Sequence, residues 1–107
     1  MTSLTRLRFA NENRHLEWDP TNQVTLGFRG LELGGEVGEA QNVIKKLERK
    51  RLGLIGPTDT IEHLAEELAD VIICADLAAM TAGIDLSKAV RKKFNATSVK
   101  VGLKTRL

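Results

Sequence analysis

The sequence predicts an all-α fold of four helices, and three observations carry that expectation. Apolar residues recur at helical spacing along each long segment. Aromatic residues make up 4% of the 107 residues, with no Tyr and a single Trp, while the helix formers Leu, Ala, Glu and Lys are abundant. Breakers at Asp19-Pro20-Thr21-Asn22, at Leu52–Asp59 and at Gly83 divide the chain into four pieces.

The first helix is expected from about Ser3 to Trp18, with Leu4, Leu7 and Ala10 on one side. It stops before Pro20, which restricts the residue preceding it and cannot donate a backbone hydrogen bond. The second is expected from about Val24 to Arg51. A connector with Gly53, Gly56 and Pro57 follows. Asp59 is the expected N-cap of the third helix, with Glu62 three residues on as its capping-box partner. That helix runs to about Thr81 and ends at Gly83, a suitable C′ residue. Asp85 or Ser87 caps the fourth, which carries Val90 and Phe94, and the tail beyond Asn95 is expected to be irregular.

The third helix has two apolar sides. Leu64, Leu68, Val71, Ala75 and Ala78 form one stripe, and Ile73, Leu77 and Met80 form another nearly opposite. A helix apolar on both sides is covered on both. A chain of this length buries a modest share of its surface alone. A single domain over residues 1–107, completed by packing on another subunit, is therefore expected. Packing of the second side on the first or fourth helix is the alternative.

Apolar residues at 42% and charged residues at 28% are ordinary for a globular chain. The lone Cys74 allows no intrachain disulfide, and no Cys/His spacing suits a metal. No signal-peptide core or membrane-length apolar stretch is visible, so a cytoplasmic protein without a membrane partner is expected. The net charge of +2 is too small to argue for nucleic acid. After Asp85, however, every charged residue is basic, from Lys88 through Arg91, Lys92, Lys93, Lys100 and Lys104 to Arg106. This is either a solvated basic face or a partner for phosphates.

Four carboxylates stand out by position. On a helical wheel, Glu36 falls inside the apolar stripe of Leu33, Val37, Ala40, Ile44 and Leu47, with Glu39 on its flank. The third helix repeats the pattern, with Glu67 at the stripe's edge beside Cys74 and Ala78, and Asp70 on the flank. Each pair is spaced i and i+3, so its members are neighbours. Buried unpaired carboxylates are costly, and no Arg or Lys shares these stripes. A hard divalent cation resolves the conflict: Mg²⁺, or Mn²⁺ in its place, takes oxygen ligands from carboxylates and phosphates. Glu32, Glu48, Glu62 and Glu66 point elsewhere on the wheel and are expected to be solvated or capping. His15 and His63 have no partner in spacing and are expected at the surface. Gly34, Gly35 and Gly38 surround the first pair and would let a second backbone or a ligand approach closely.

Glu36-Val37-Gly38-Glu39, followed by Glu67-Leu68-Ala69-Asp70, resembles the ExxE…ExxD arrangement of the MazG-like all-α nucleotide pyrophosphohydrolases. The likeness extends from about Trp18 to Lys100. The resemblance implies a four-helix bundle completed by oligomerisation as a homodimer or homotetramer, and Mg²⁺-dependent cleavage of a (d)NTP between its α- and β-phosphates. Glu36, Glu39, Glu67 and Asp70 would be the catalytic metal ligands, with a glutamate such as Glu39 as candidate general base. Trp18-Asp19-Pro20-Thr21-Asn22 is similar to a stretch that contributes to base recognition in the dCTP pyrophosphatase branch. Lys93-Phe94-Asn95 through Lys100 resembles a C-terminal motif that contacts the nucleotide. Trp18, Asn22, Lys93, Asn95 and Lys100 are therefore the implied substrate-binding residues. The Lys-Tyr-Pro ending common in that branch reads Lys100-Val101-Gly102 here, so its tyrosine is absent. Two other readings stand beside this one. A non-catalytic helical dimerisation module would need no metal. A nucleic-acid binder would use Lys45, Lys46, Arg49, Lys50, Arg51 and the basic tail, but no groove-reading motif accompanies them.

Overall fold

Every helix begins where a side-chain oxygen meets its first free amides. A computed structural model describes residues 1–107 as α1 (Ser3–Trp18), α2 (Leu26–Arg51), α3 (Ile61–Thr81) and α4 (Leu86–Val101), with no strand. Thr2, Thr25, Thr60 and Asp85 are the N-caps, accepting from the amides of Thr5, Phe28, His63 and Lys88. Helices α3 and α4 end alike. Gly83 (φ 71°) and Gly102 (φ 75°) take the left-handed conformation. The next residues, Ile84 and Leu103, donate back to the Ala79 and Ser98 carbonyls.

These caps revise three boundaries. The second helix starts at Leu26, after its Thr25 cap, rather than at Val24. Thr60 caps α3 in place of Asp59, so Glu62 is not the capping-box partner. The chain past Asn95 stays helical to Val101, because nothing before Gly102 breaks it.

Helices α2 and α3 form the centre, and their pairing runs antiparallel: Glu36 faces Asp70, and Lys46 faces Asp59. Ala40 and Val43 of α2 and Cys74 of α3 are buried. Helix α1 lies on the other side of α3. There Ile73 and Leu77 share a cleft with Asn11, Arg14 and Trp18, and Met80 shares one with Leu4 and Arg8. The second apolar side of α3 is thus covered by the chain's own first helix rather than by another subunit.

A buried ion pair fixes that contact. Asp76 on α3 is 1% exposed. It accepts from Arg8 Nη2 at 3.0 Å, from Arg8 Nε at 3.2 Å and from Asn11 Nδ2 at 2.9 Å. Arg8 Nη2 also donates to the Ile84 carbonyl at 2.7 Å, tying the α3–α4 turn to α1. Breaking such a pair by removing one partner typically costs about 3–5 kcal/mol, because a buried charge is left uncompensated.

The chain is flat, with extents of 46 × 44 × 24 Å and a radius of gyration of 17.1 Å. A compact domain of this length would have a radius of about 13 Å. Its accessible surface is 7787 Å², against about 5,900 Å² for a folded monomer of its mass. Four apolar residues are buried: Ala40, Val43, Cys74 and Ala79. Val37, Ile44, Leu68 and Ile72 are exposed. Helical periodicity puts them on one face of the α2–α3 hairpin, opposite the face that carries Glu39 and Asp70. Helix α4 packs on α1 and α3 but not on α2, and leaves Val90 and Phe94 exposed. No helix is long and apolar enough to cross a membrane.

Candidate metal centre

The antiparallel pairing of α2 and α3 sets the two acidic pairs against each other. One carboxylate oxygen each of Glu36, Glu67 and Asp70 lies within 4.8 Å of the others. Glu36 and Glu67 are half-buried, and Asp70 is exposed. Glu39, exposed on the rim, sits against both Glu36 and Glu67. Glu36 Oε2 and Glu67 Oε2 are buried without any hydrogen-bond donor. A buried carboxylate oxygen lacking a donor is costly. Together with the Asp70 carboxylate, those of Glu36 and Glu67 form a cluster of hard oxygen donors of the kind a metal cation can occupy.

Electrostatics sharpen the point. Burial raises the Glu36 carboxyl above its ordinary range, and neighbouring Glu39, Asp70 and Glu67 raise it further. Burial and the neighbouring Glu39 carboxylate raise Glu67, which His63 partly opposes. Cys74 lies behind the cluster, its thiol pushed up to about 11 by burial and then by Glu32, Glu36 and Asp70. It is an inert core thiol.

His63 is not a partnerless surface residue. Its Nδ1 lies 2.8 Å from Asp59 Oδ1 and its Nε2 lies 3.0 Å from Glu67 Oε1. Asp59 also accepts from the Thr60 amide at 2.8 Å, and Lys46 Nζ lies 4.0 Å from its other oxygen. The Asp59–His63 pair therefore holds one oxygen of Glu67, while the other is buried without a partner. Ring-to-carboxylate bonding of this kind orients metal ligands. The i, i+4 spacings of Asp59, His63 and Glu67 were visible in the sequence; the helical turn that joins them begins at the Thr60 cap.

These groups set a pH dependence for the metal-free protein. Raised carboxyls mean that the folded state holds protons more tightly than the unfolded chain. Their effect on stability turns unfavourable as pH climbs from the usual glutamate value of 4.5 through the raised ones. The His63 ring is raised above 6.5, chiefly by its hydrogen bond to Asp59, so its stabilisation is present below that value and fades above it. Asp19 and Asp59 are lowered, mainly by backbone amides, and act only near and below 3.8. The expected outcome is a Tm that falls between pH 5 and 8 without metal. The increment from saturating Mn²⁺ grows over the same window, because ligation requires ionised carboxyls. Thermal melts at four pH values check this, and a metal-free Tm that rises to pH 8 contradicts it.

A cleft of about 370 Å³ adjoins the cluster through Asp70. It lies between α1, α2 and α3 and holds Trp18, Arg14, Arg29 and Glu32. Trp18 is 59% exposed, leans on Phe28 with ring centroids 6.0 Å apart, and has the Arg29 guanidinium 5.7 Å from its ring centroid. Of the substrate-binding residues implied by the resemblance, Trp18 alone lines this cleft. Asn22 lines a neighbouring depression and has its side chain committed to His15. Lys93, Asn95 and Lys100 lie on α4, away from α2, and belong to neither cleft nor cluster. Asn95 instead binds the Leu107 backbone through both amide atoms, at 2.7 and 3.3 Å. Gly34, Gly35 and Gly38 face open space, with no backbone close by. Wheel reasoning also missed Glu32, Arg29 and Arg14, because the far wall of the cleft comes from α1.

No family model matches the chain, and neither a curated protein nor a solved structure matches it.

Proposed function

We propose that this chain is a divalent-cation-dependent nucleoside triphosphate pyrophosphohydrolase of the MazG-like all-α kind, serving nucleotide-pool housekeeping in the cytoplasm. The observation that carries the reading is the convergence of Glu36, Glu67 and Asp70 with two buried oxygens lacking donors, beside a cleft with an exposed Trp. Glu36, Glu67 and Asp70 would hold Mg²⁺ or Mn²⁺, with Glu39 at the rim, and the bound ion would supply positive charge to offset that of the triphosphate and of the departing pyrophosphate. Trp18 stacks on the base. The exposed guanidinium of Arg14 and the ammonium of Lys46 offset phosphate charge from the same protomer, a part that the resemblance gave to Lys93 and Lys100. Glu39 accepts a proton from the attacking water as its oxygen bonds to the α-phosphorus and the bond from that phosphorus to the bridging oxygen breaks. The products are a nucleoside monophosphate and pyrophosphate.

The exposed face of Val37, Ile44, Leu68 and Ile72 packs on a second copy of itself. Two α2–α3 hairpins then complete a bundle, and the glycines of α2 admit close helix approach.

The test is a panel of dNTPs with Mg²⁺, with products resolved by ion-exchange chromatography. Monophosphate and pyrophosphate in equal amounts support the reading. Diphosphate with inorganic phosphate, or no turnover of any nucleotide, overturns it.

A further inference from the structure

The cleft beside Asp70 contains a carboxylate that the metal centre does not use. Glu32 lies four residues before Glu36 on α2, about 6 Å along the axis. It is held by a chain of hydrogen bonds that begins in the α1–α2 turn. Asn22, with φ of 55°, stands in that turn, and its Oδ1 lies 3.0 Å from His15 Nε2. His15 Nδ1 accepts from Arg29 Nη2 at 3.1 Å, and Arg29 Nη1 donates to Glu32 Oε1 at 3.2 Å. Arg29 is 2% exposed and has Trp18 over its guanidinium. A buried Arg held at both ends by side chains is a rigid support. It fixes one oxygen of Glu32, whose half-buried side chain lines the cleft together with Trp18, Asp70 and Cys74.

We infer that Glu32 reads the nucleobase and selects bases that carry an exocyclic amine. The inference rests on the nucleotide reading of the cleft and goes beyond it by naming the substrate class. A base stacked on Trp18, with its phosphates toward Asp70, presents its edge to Glu32. A carboxylate only accepts hydrogen bonds. The amino hydrogens of cytosine, adenine and guanine satisfy it. Uracil and thymine offer an imide N–H flanked by two carbonyl oxygens, whose lone pairs face the carboxylate charge. A site built to bond a donor rejects the analogue that lacks it, because its own buried group is left unpaired. Asn22, His15 and Arg29 are positioning residues in this arrangement, and Asn22 acts on the base through them rather than by contact.

Trp18 is the only tryptophan, so its fluorescence reports occupancy without any turnover. The experiment titrates the full chain with dCMP and with dUMP, which differ only at the 4-substituent and in the protonation of the adjacent N3. Wild type is expected to bind dCMP about tenfold or more tightly than dUMP. In Glu32→Gln, whose amide both donates and accepts, the ratio is expected to fall to about twofold or to invert. Asn22→Ala leaves Glu32 in place and loosens its support, so it is expected to give an intermediate ratio. Equal wild-type affinities, a ratio unchanged in Glu32→Gln, or no Trp18 response to either nucleotide would overturn the inference. Pyrophosphate release without amino-base preference sinks this inference and spares the enzymatic reading. dCMP preference without release does the reverse.

Discussion

Glu67→Gln is expected to lower pyrophosphate release by more than about 100-fold, since loss of groups that merely orient metal ligands already costs about 10- to 100-fold. The same substitution is expected to raise the Tm of the metal-free protein. Both effects have one cause. Glu67 is half-buried, one of its oxygens has no donor, and burial together with Glu39 already raises its carboxyl. The glutamine keeps an oxygen to accept from His63 Nε2 and keeps the shape. It removes the charge that Glu36, Glu39 and Asp70 repel. Stability gained as activity is lost is the signature of a strained functional site. Activity within about tenfold of wild type, or a lowered metal-free Tm, would count against the assignment.

The second large effect concerns assembly. Ile72→Glu is expected to convert a dimer into a monomer in light scattering at micromolar concentration. Ile72 is 52% exposed, and with Leu68, Val37 and Ile44 it makes an apolar face that nothing in the chain covers. The surface exceeds that of a compact monomer of this mass by about 1,900 Å². Obligate homodimer interfaces bury about 2,000 Å² or more in total over both partners. A buried charge without a partner is enough to dissociate such a face. A wild-type chain that is monomeric at 100 µM would remove the hairpin-to-hairpin bundle from the account. The metal centre, on the opposite face, would stand.

How far the sequence reached can be argued residue by residue. The four helices were legible because their signals are local: Asp19-Pro20, Asp85 and Gly83 act within a turn of themselves. The fourth helix was cut short because the stretch beyond Asn95, with its scattered Lys100, Lys104 and Arg106, looks like a basic tail, whereas its real terminator is Gly102. The acidic pairs were legible because a carboxylate inside an apolar stripe is a conflict visible on a wheel. What joins them was less so. A wheel ranks residues by one face, and Glu32 looked solvated when judged only against the α2–α3 contact. Its surroundings are set by Arg29 on its own helix, which is held in turn by His15 of α1 and Asn22 of the α1–α2 turn, up to 17 positions away. His63 was missed for a simpler reason: it was weighed alone, without Asp59 and Glu67 one turn to either side. The direction of α4 is tertiary information, and no spacing in Lys93–Lys100 could show that it turns away from α2. The second side of α3 also has a cover that depends on tertiary structure, because the Asp76–Arg8 pair brings α1 onto it.

The central claim is that Glu36, Glu67 and Asp70 hold a divalent cation. Free Mn²⁺ measured by electron paramagnetic resonance, as wild type, Glu36→Gln and Glu67→Gln are titrated, tests it without reference to turnover. The account predicts saturable binding to wild type that both variants weaken by more than about 100-fold. Binding that is absent in wild type, or equally strong in all three proteins, would contradict it.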